Sequence, residues 1–284
     1  MWAISVSWIL EPMALRMGLS KGNARRFAEQ TWTGIYYSSM WTLGMSVWMQ
    51  SNYWMNLREL WTTFPTKELG GNLKLYLLIS LAFWFNQIIV VNVEKRRYDY
   101  ALYMAHHIVT ATVMWSAYVY SAHELSHLVS NLMEAADVFL CIAKVLRYVD
   151  WRTSGNVALG TFAAVWFVSR HIIYVRLCWI LFHDIPSTKP YGCYSGFDRK
   201  PSHTVIPEVS WGSLGRPFID ASSLVCITPF VKWAFLSTLL AFQAMSIIWF
   251  QMIVKTIMRA LSKGYSDDIR SDDEGETDEA EGKK

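Results

Sequence analysis

Two histidines, His106 and His107, stand side by side in an apolar run, with Thr110 one helical turn further on. A second apolar stretch places Asn131, Glu134 and Asp137 at three-residue steps, so one helix face carries all three. Lys144 follows two turns beyond Asp137 on roughly the same stripe. Ionisable side chains in a bilayer core are costly, and each one found there marks a functional site by default. One His and one Asp would read as polar glue between helices. Two imidazoles opposite two carboxylates at matched depth point instead to general acid–base chemistry, with a carboxylate fixing the imidazole tautomer and supporting its positive charge. Zinc suits the residue types, but adjacent helical residues point about 100° apart and make a poor chelating pair.

The elements that must position these groups are helices long enough to cross a membrane, which takes about 20 apolar residues. The segments that qualify are Thr31–Gln50, Leu73–Val93, Ala101–Tyr120, Leu125–Val149, Val157–Phe182 and Trp233–Met258. Met1–Leu19 is apolar but short, and Pro12 interrupts it. The Ser121–Glu124 turn makes the two site helices antiparallel neighbours. At the rise of an α-helix, His107 then lies about 9 Å from the helix start near Ala101. Asp137 and Glu134 lie about 15 Å and about 20 Å from the matching end near Arg147.

Composition agrees with a polytopic membrane protein: 53% hydrophobic, 15% aromatic and only 17% charged residues, with 15 Trp. A soluble nucleic-acid-binding role has no support in it. The formal charge of +3 is split, since Ser266 to Lys284 holds nine acidic and three basic residues, a net of −6 that leaves +9 on the rest. Basic clusters at Lys21, Arg25 and Arg26, at Lys95, Arg96 and Arg97, at Arg147 and Arg152, and at Lys255, Arg259 and Lys263 share one face of the scheme. The positive-inside rule makes that face cytosolic, with both ends inside. The loop His183–Ser223 then faces the lumen despite its own basic residues; its five prolines make it irregular, and its WGSLGRPF stretch would line a lumenal cap. The four cysteines show no metal-type spacing, and Cys141 and Cys178 read as small buried hydrophobes. No cleavable signal peptide is expected. Residues 265–284 read as a disordered acidic cytosolic tail whose Ser271 and Thr277 precede acidic residues, a pattern that suits an acid-directed kinase.

The stretch HHIVTATVMWSAYVYSAHELSHLVSNLMEAADVFLCIAKVLRY resembles the signature block of the ceramide synthases, membrane enzymes built on the TLC domain. Further matches are FAEQ before the first span, TFP after it, FW-x-x-Q in the second, EKRR-x-D, and SRHIIYVRLCW in the fifth, in the manner of the fungal branch. Together they cover roughly Arg25 to Gln251. The resemblance implies an all-α integral membrane protein, a polytopic bundle of about six to seven transmembrane helices enclosing an acyl-chain tunnel. It divides the chain into a partial N-terminal apolar segment (1–24), a TLC catalytic domain (25–264) and the tail (265–284).

The implied activity is transfer of a fatty acyl group from acyl-CoA to the amine of a sphingoid base, in the endoplasmic reticulum membrane. His106 and His107 match the essential His pair, and Glu134 and Asp137 the acidic positions. One His takes the amine proton or forms a transient acyl-imidazole. The thioester is already activated, so no metal and no bound cofactor is expected; acyl-CoA is a co-substrate. Lys95, Arg96, Arg97, Lys144 and Arg147 would meet the CoA phosphates at the cytosolic mouth. Arg170 and His171 also match, too deep for phosphates, and are expected to pack or to bond a hydroxyl of the base. The implied partners are membrane lipids, a small single-span accessory subunit, and a homo- or heterodimer with another ceramide synthase. Two departures stand out: the first acidic position is Asp in the family but Glu134 here, and family members have a longer N-terminal region. A second reading is a non-catalytic TLC-domain paralogue that binds lipid or modulates an active ceramide synthase. A transporter with a His–carboxylate relay would call for internal repeats, which the sequence does not show.

Overall fold

The apolar runs fold as long helices, and the links at Tyr120–Ala122 and Val149–Trp151 are short turns that fix neighbours. The computed structural model describes residues 5–61, 64–65, 68–93, 100–187, 190–194, 201–203, 211–220 and 223–263. The basic run Lys95, Arg96 and Arg97 and the acidic tail lie outside the described residues. A π-helical stretch, Ser5–Leu10, leads into α1 (Glu11–Arg16). Then come α2 (Lys21–Met49), α3 (Gly71–Val93), α4 (Tyr100–Val119) and α5 (His123–Tyr148). Next, α6 (Arg152–Phe167) passes through a π-helical stretch (Val168–Ile173) into α7 (Tyr174–Ser187). The short α8 (Trp211–Ile219) and the long α9 (Pro229–Lys263) complete the helices. All six expected spans overlap helices, with most ends shifted by a few residues and α2 starting at Lys21, well before the expected Thr31. Pro12 falls in the first turn of α1 and does not break it, because that turn has no use for its missing N–H.

Three turns close in the same way. After α1, Leu19 N–H donates to Ala14 O and Gly18 N–H to Leu15 O, with Gly18 at φ 88°. After α4, Ala122 donates to Ala117 O and Ser121 to Tyr118 O; after α5, Trp151 donates to Leu146 O and Asp150 to Arg147 O. Ser121 and Asp150 both take φ 59°. These paired bonds are Schellman caps, which satisfy the last helical carbonyls and turn the chain at once. The helix carrying the acidic residues is thus bracketed by tight turns at both ends.

Among the described residues, three helical stretches are long and apolar enough to cross a membrane: Gly71–Val93, Arg152–Ile185 and Pro229–Arg259. Apolar side chains point outward along them, with Ile89 63% and Trp179 61% exposed, as a lipid-facing surface requires. The helix over Ala101–Tyr120 carries His, Thr, Ser and Tyr side chains, and that over Leu125–Val149 carries Glu134, Asp137, Lys144 and Arg147, among them the residues singled out for chemistry.

The chain forms two compact units, one from the stretches up to Trp41, Leu132–Ile172 and from Met245 on, the other from Thr42–Asn131 and Ile173–Ala244. In the first, Ala136, Phe162 and Trp166 form a core with Trp249, Phe250 and Ile253 of α9. A second cluster joins Ala14, Ala24 and Phe27 to Val145, Tyr148 and Val149. Arg25 clips the N-terminal segment down, pairing with Glu11 at 3.2 Å and Glu29 at 2.7 Å.

The second unit is organised around a fully buried histidine. His127 Nε2 lies 3.0 Å from Gly44 O and its Nδ1 2.9 Å from Tyr53 Oη. A carbonyl can only accept, so Nε2 carries the proton and Nδ1 accepts from the Tyr53 hydroxyl. The Tyr76 ring stands edge-on at 4.9 Å. Gly44 permits the contact: a Cβ there would stand 2.5 Å from Asn131 Oδ1 and 2.9 Å from Tyr76.

The loop after α7 holds the departure from an all-helical chain. β1 (Gly192–Tyr194) pairs antiparallel with β2 (Pro201–His203) and β3 (Val225–Ile227), and a disulfide joins Cys193 to its cross-strand partner Cys226. Three-residue strands carry too little pattern to be read in a proline-rich loop. Lys232 Nζ donates to Phe182 O at 2.7 Å and Ile185 O at 2.5 Å, capping the end of α7. Tyr120 Oη donates to Leu214 O at 2.8 Å, so the WGSLGRPF helix is tied to the end of the His helix. Cys141 and Cys178 are free and buried, as expected.

Candidate functional site

The His pair belongs to the second unit. His107 is buried at 3% exposure and His106 is half-buried. Their setting is aromatic: Trp84 of α3 lies 5.6 Å from the His106 ring and 5.3 Å from the His107 ring. Tyr103 stands edge-on to His107 at 4.4 Å, and Phe242 of α9 edge-on to His106 at 5.8 Å. Neither ring nitrogen of His107 has a hydrogen-bond partner among the described residues. The ring is held by packing alone, so its lone pair is left available for a proton or an acyl carbon. Thr110 donates its hydroxyl to His106 O at 2.8 Å. That bond engages the Thr110 proton within the helix backbone.

The acidic residues belong to the first unit. Glu134 is buried at 6%, and the Asp137 side chain is 23% exposed. Arg170 is the ion partner of Asp137, with Nη2 3.6 Å from Oδ1. The same nitrogen donates to Met133 O at 3.2 Å, and the guanidinium lies 3.7 Å over the Trp166 ring. Trp166 in turn packs on Phe162 at 5.6 Å and Trp249 at 6.4 Å. The guanidinium is therefore fixed from three sides: a carboxylate, a carbonyl and an indole face. Sequence reasoning assigned Arg170 to packing or to a substrate hydroxyl; the structure gives it Asp137. The signal was present, since a guanidinium deep in an apolar helix needs an anion or carbonyls around it. Arg170 and His171 sit on the π-helical stretch, a feature that often marks functional positions. His171 packs against Phe250 at 5.1 Å and Phe167 at 5.8 Å.

Lys144 and Arg147 lie half-buried toward the end of α5 in the first unit, while Lys95, Arg96 and Arg97 are outside the described residues. Among the described residues no group of three or more His, Cys, Asp or Glu is placed to hold a metal ion.

Comparison with known proteins agrees with the motif reading. A family model for the TLC domain matches residues 26–255. A sphingosine N-acyltransferase-like protein of Alternaria alternata is 36% identical over 96% of this chain and 64% of its own length. A ceramide synthase of Gibberella moniliformis is 34% identical over 97% of this chain and 65% of its own. A sphingosine N-acyltransferase of Schizosaccharomyces pombe is 29% identical over 98% of this chain and 65% of its own. The chain thus spans just under two thirds of the length of these curated relatives.

Proposed function

The chain belongs to the TLC-domain family, and from that premise we propose that it is a ceramide synthase, transferring a fatty acyl group from acyl-CoA to the amine of a sphingoid base. The observation that carries the reading is His107: buried, caged by Trp84 and Tyr103, and with both ring nitrogens free of hydrogen bonds among the described residues. A buried imidazole left unbonded is costly as structure and useful as chemistry. In the base route, His107 takes a proton from the amine as it attacks the thioester carbonyl. The C–N bond forms, the C–S bond breaks, and the proton passes to the CoA thiolate. In the nucleophilic route, the imidazole nitrogen attacks the thioester carbonyl and CoA leaves as the thiolate. The amine then attacks the acyl-imidazole, the C–N bond to the imidazole breaks, and the amine proton passes to the thiolate. His106 is the second member of the pair, and Glu134 and Asp137 take the acidic positions of the motif. Arg170 is a positioning residue that acts through Asp137.

The remaining elements follow in the same reading. The helices form a bundle of about six to seven spans around an acyl-chain tunnel, and residues 25–264 make up the catalytic domain. The protein sits in the endoplasmic reticulum membrane with both ends cytosolic. The Cys193–Cys226 bond supports a lumenal place for the β1–β3 cap, because disulfides persist in oxidising compartments. Lys144 and Arg147, with Lys95, Arg96 and Arg97, meet the CoA phosphates at the opposite face. A single-span accessory subunit and pairing with another ceramide synthase are the proposed partnerships.

The test is acylation of a sphingoid base by acyl-CoA in microsomes from a host lacking its own ceramide synthases. Wild type is expected to form product, and His107→Ala to lose about 100-fold or more in rate. Product formation undiminished in His107→Ala would refute the assignment. No product from wild type, even with an accessory subunit co-expressed, would favour the non-catalytic paralogue.

A further inference from the structure

His107 is not alone in leaving buried polar atoms unbonded. Ser80 is fully buried and its Oγ has no hydrogen-bond partner among the described residues; Asn131 is 1% exposed and its Oδ1 likewise has none. The amide of Asn131 is oriented by Nδ2, which donates to the Met45 sulfur at 3.3 Å. Oδ1 is the acceptor left over.

These atoms lie along one column of the second unit. On α3, Tyr76, Ser80 and Trp84 recur every fourth residue and so share a face. Tyr76 touches His127 at one end of that face, and Trp84 touches His107 at the other. Asn131 sits beside Tyr76, since both crowd the same point above Gly44. Helix rise gives matching depths, with Ser80 about 13 Å from the start of α3 and Asn131 about 12 Å from the start of α5. His107 lies about 18 Å from the neighbouring end of α4. Ser80 and Asn131 therefore share a level about one helical turn from the His pair. Beyond them the column is closed by the Tyr53–His127–Gly44 bonds, which are complete.

We propose that Ser80 and Asn131 form a hydroxyl-recognition subsite, receiving an alcohol of a long-chain amino-alcohol whose amine lies at His107. The inference rests on the acyl-transfer reading and names the residues that read the acceptor's hydroxyl within it. Asn131 Oδ1 accepts the substrate O–H, and the Ser80 hydroxyl donates to the same oxygen. An alcohol oxygen three bonds from the amine nitrogen, with its hydrogen bond added, has the reach for a group about one helical turn away. A site built this way rejects an analogue lacking the hydroxyl, because its own polar atoms then stay unpaired.

The experiment compares a long-chain 2-amino-1,3-diol with its 1-deoxy and 3-deoxy analogues as acceptors for wild type, Asn131→Leu and Ser80→Ala. Two readouts are taken: kcat/KM for acylation, and the thermal shift each amine gives the purified protein. Wild type is expected to favour the diol. The diol-to-deoxy ratio is expected to fall about 5- to 10-fold in Asn131→Leu and about 3-fold in Ser80→Ala, the scale of one neutral hydrogen bond. Parallel loss for all acceptors, or an unchanged ratio, would overturn the subsite. If no amine is acylated, the acyl-transfer reading fails and the thermal shifts still decide the subsite. A larger shift by the diol that disappears in both variants supports it, and equal shifts by all three amines overturn it.

Discussion

The surroundings of His107 and of Asp137 are opposites. His107 sits among Trp84, Tyr103 and His106 without a hydrogen bond among the described residues, whereas Asp137 faces a guanidinium that is itself fixed by a carbonyl and an indole. One environment leaves a group chemically available, and the other holds a charge still. The difference separates reactivity from stability: residues serving the first are removable without unfolding, and residues serving the second are not. The contrast can be broken experimentally.

The largest effect is expected at His107. His107→Phe keeps the aromatic volume and forfeits no hydrogen bond, so unfolding in detergent should change by less than about 1.5 kcal/mol. Acylation should nevertheless fall by about 100-fold or more. A destabilised His107→Phe would mean that the ring has structural duties after all. Arg170→Met should do the reverse, leaving Asp137 unpaired at a loss of about 3 kcal/mol. Adding Asp137→Asn should recover much of that stability while activity stays low. Recovery of neither would show the pair to be incidental.

Two further changes probe the frame. Reduction, or Cys193→Ser with Cys226→Ser, should cost the cap about 4 kcal/mol for a loop of this length, read as a lower thermal midpoint under dithiothreitol. Gly44→Ala should cost about 1–3 kcal/mol, since its methyl would press on Asn131 and Tyr76, and no catalytic residue is altered. The smallest effect is expected at Glu134→Asp. Glu134 is buried, and shortening it withdraws the carboxylate by about one methylene, so kcat/KM should fall about tenfold. A rise instead would mean that the family's Asp is better placed here too.

The long helices were legible because apolar runs of spanning length leave few alternatives, and the His pair and acidic stripe because charge inside such runs is rare. Arg170 was legible as unusual but not as the partner of Asp137, because the contact joins α6's π-helical continuation to α5 and helix depth alone could not choose between ligand and ion pair. His127 escaped notice because its partners, Gly44 and Tyr53, come from a distant helix end and the loop after it. Ser121 and Asp150 close their turns at positive φ without glycine, so the usual signal was missing. Cys193 and Cys226 lie 33 residues apart in a loop with no metal-like or repeating spacing, and only the pairing of β1 with β3 brings them together.

That cross-strand bond also places a condition on how the protein is made. A disulfide needs an oxidant that the chain does not carry. Cys193 must wait through the synthesis of the intervening loop for Cys226, which arrives only just before α9. The cap is therefore sealed late in biosynthesis, after most of the helices have been made. Two cells translating the same amount of this chain would then hold different amounts of finished protein if their oxidising capacity differed.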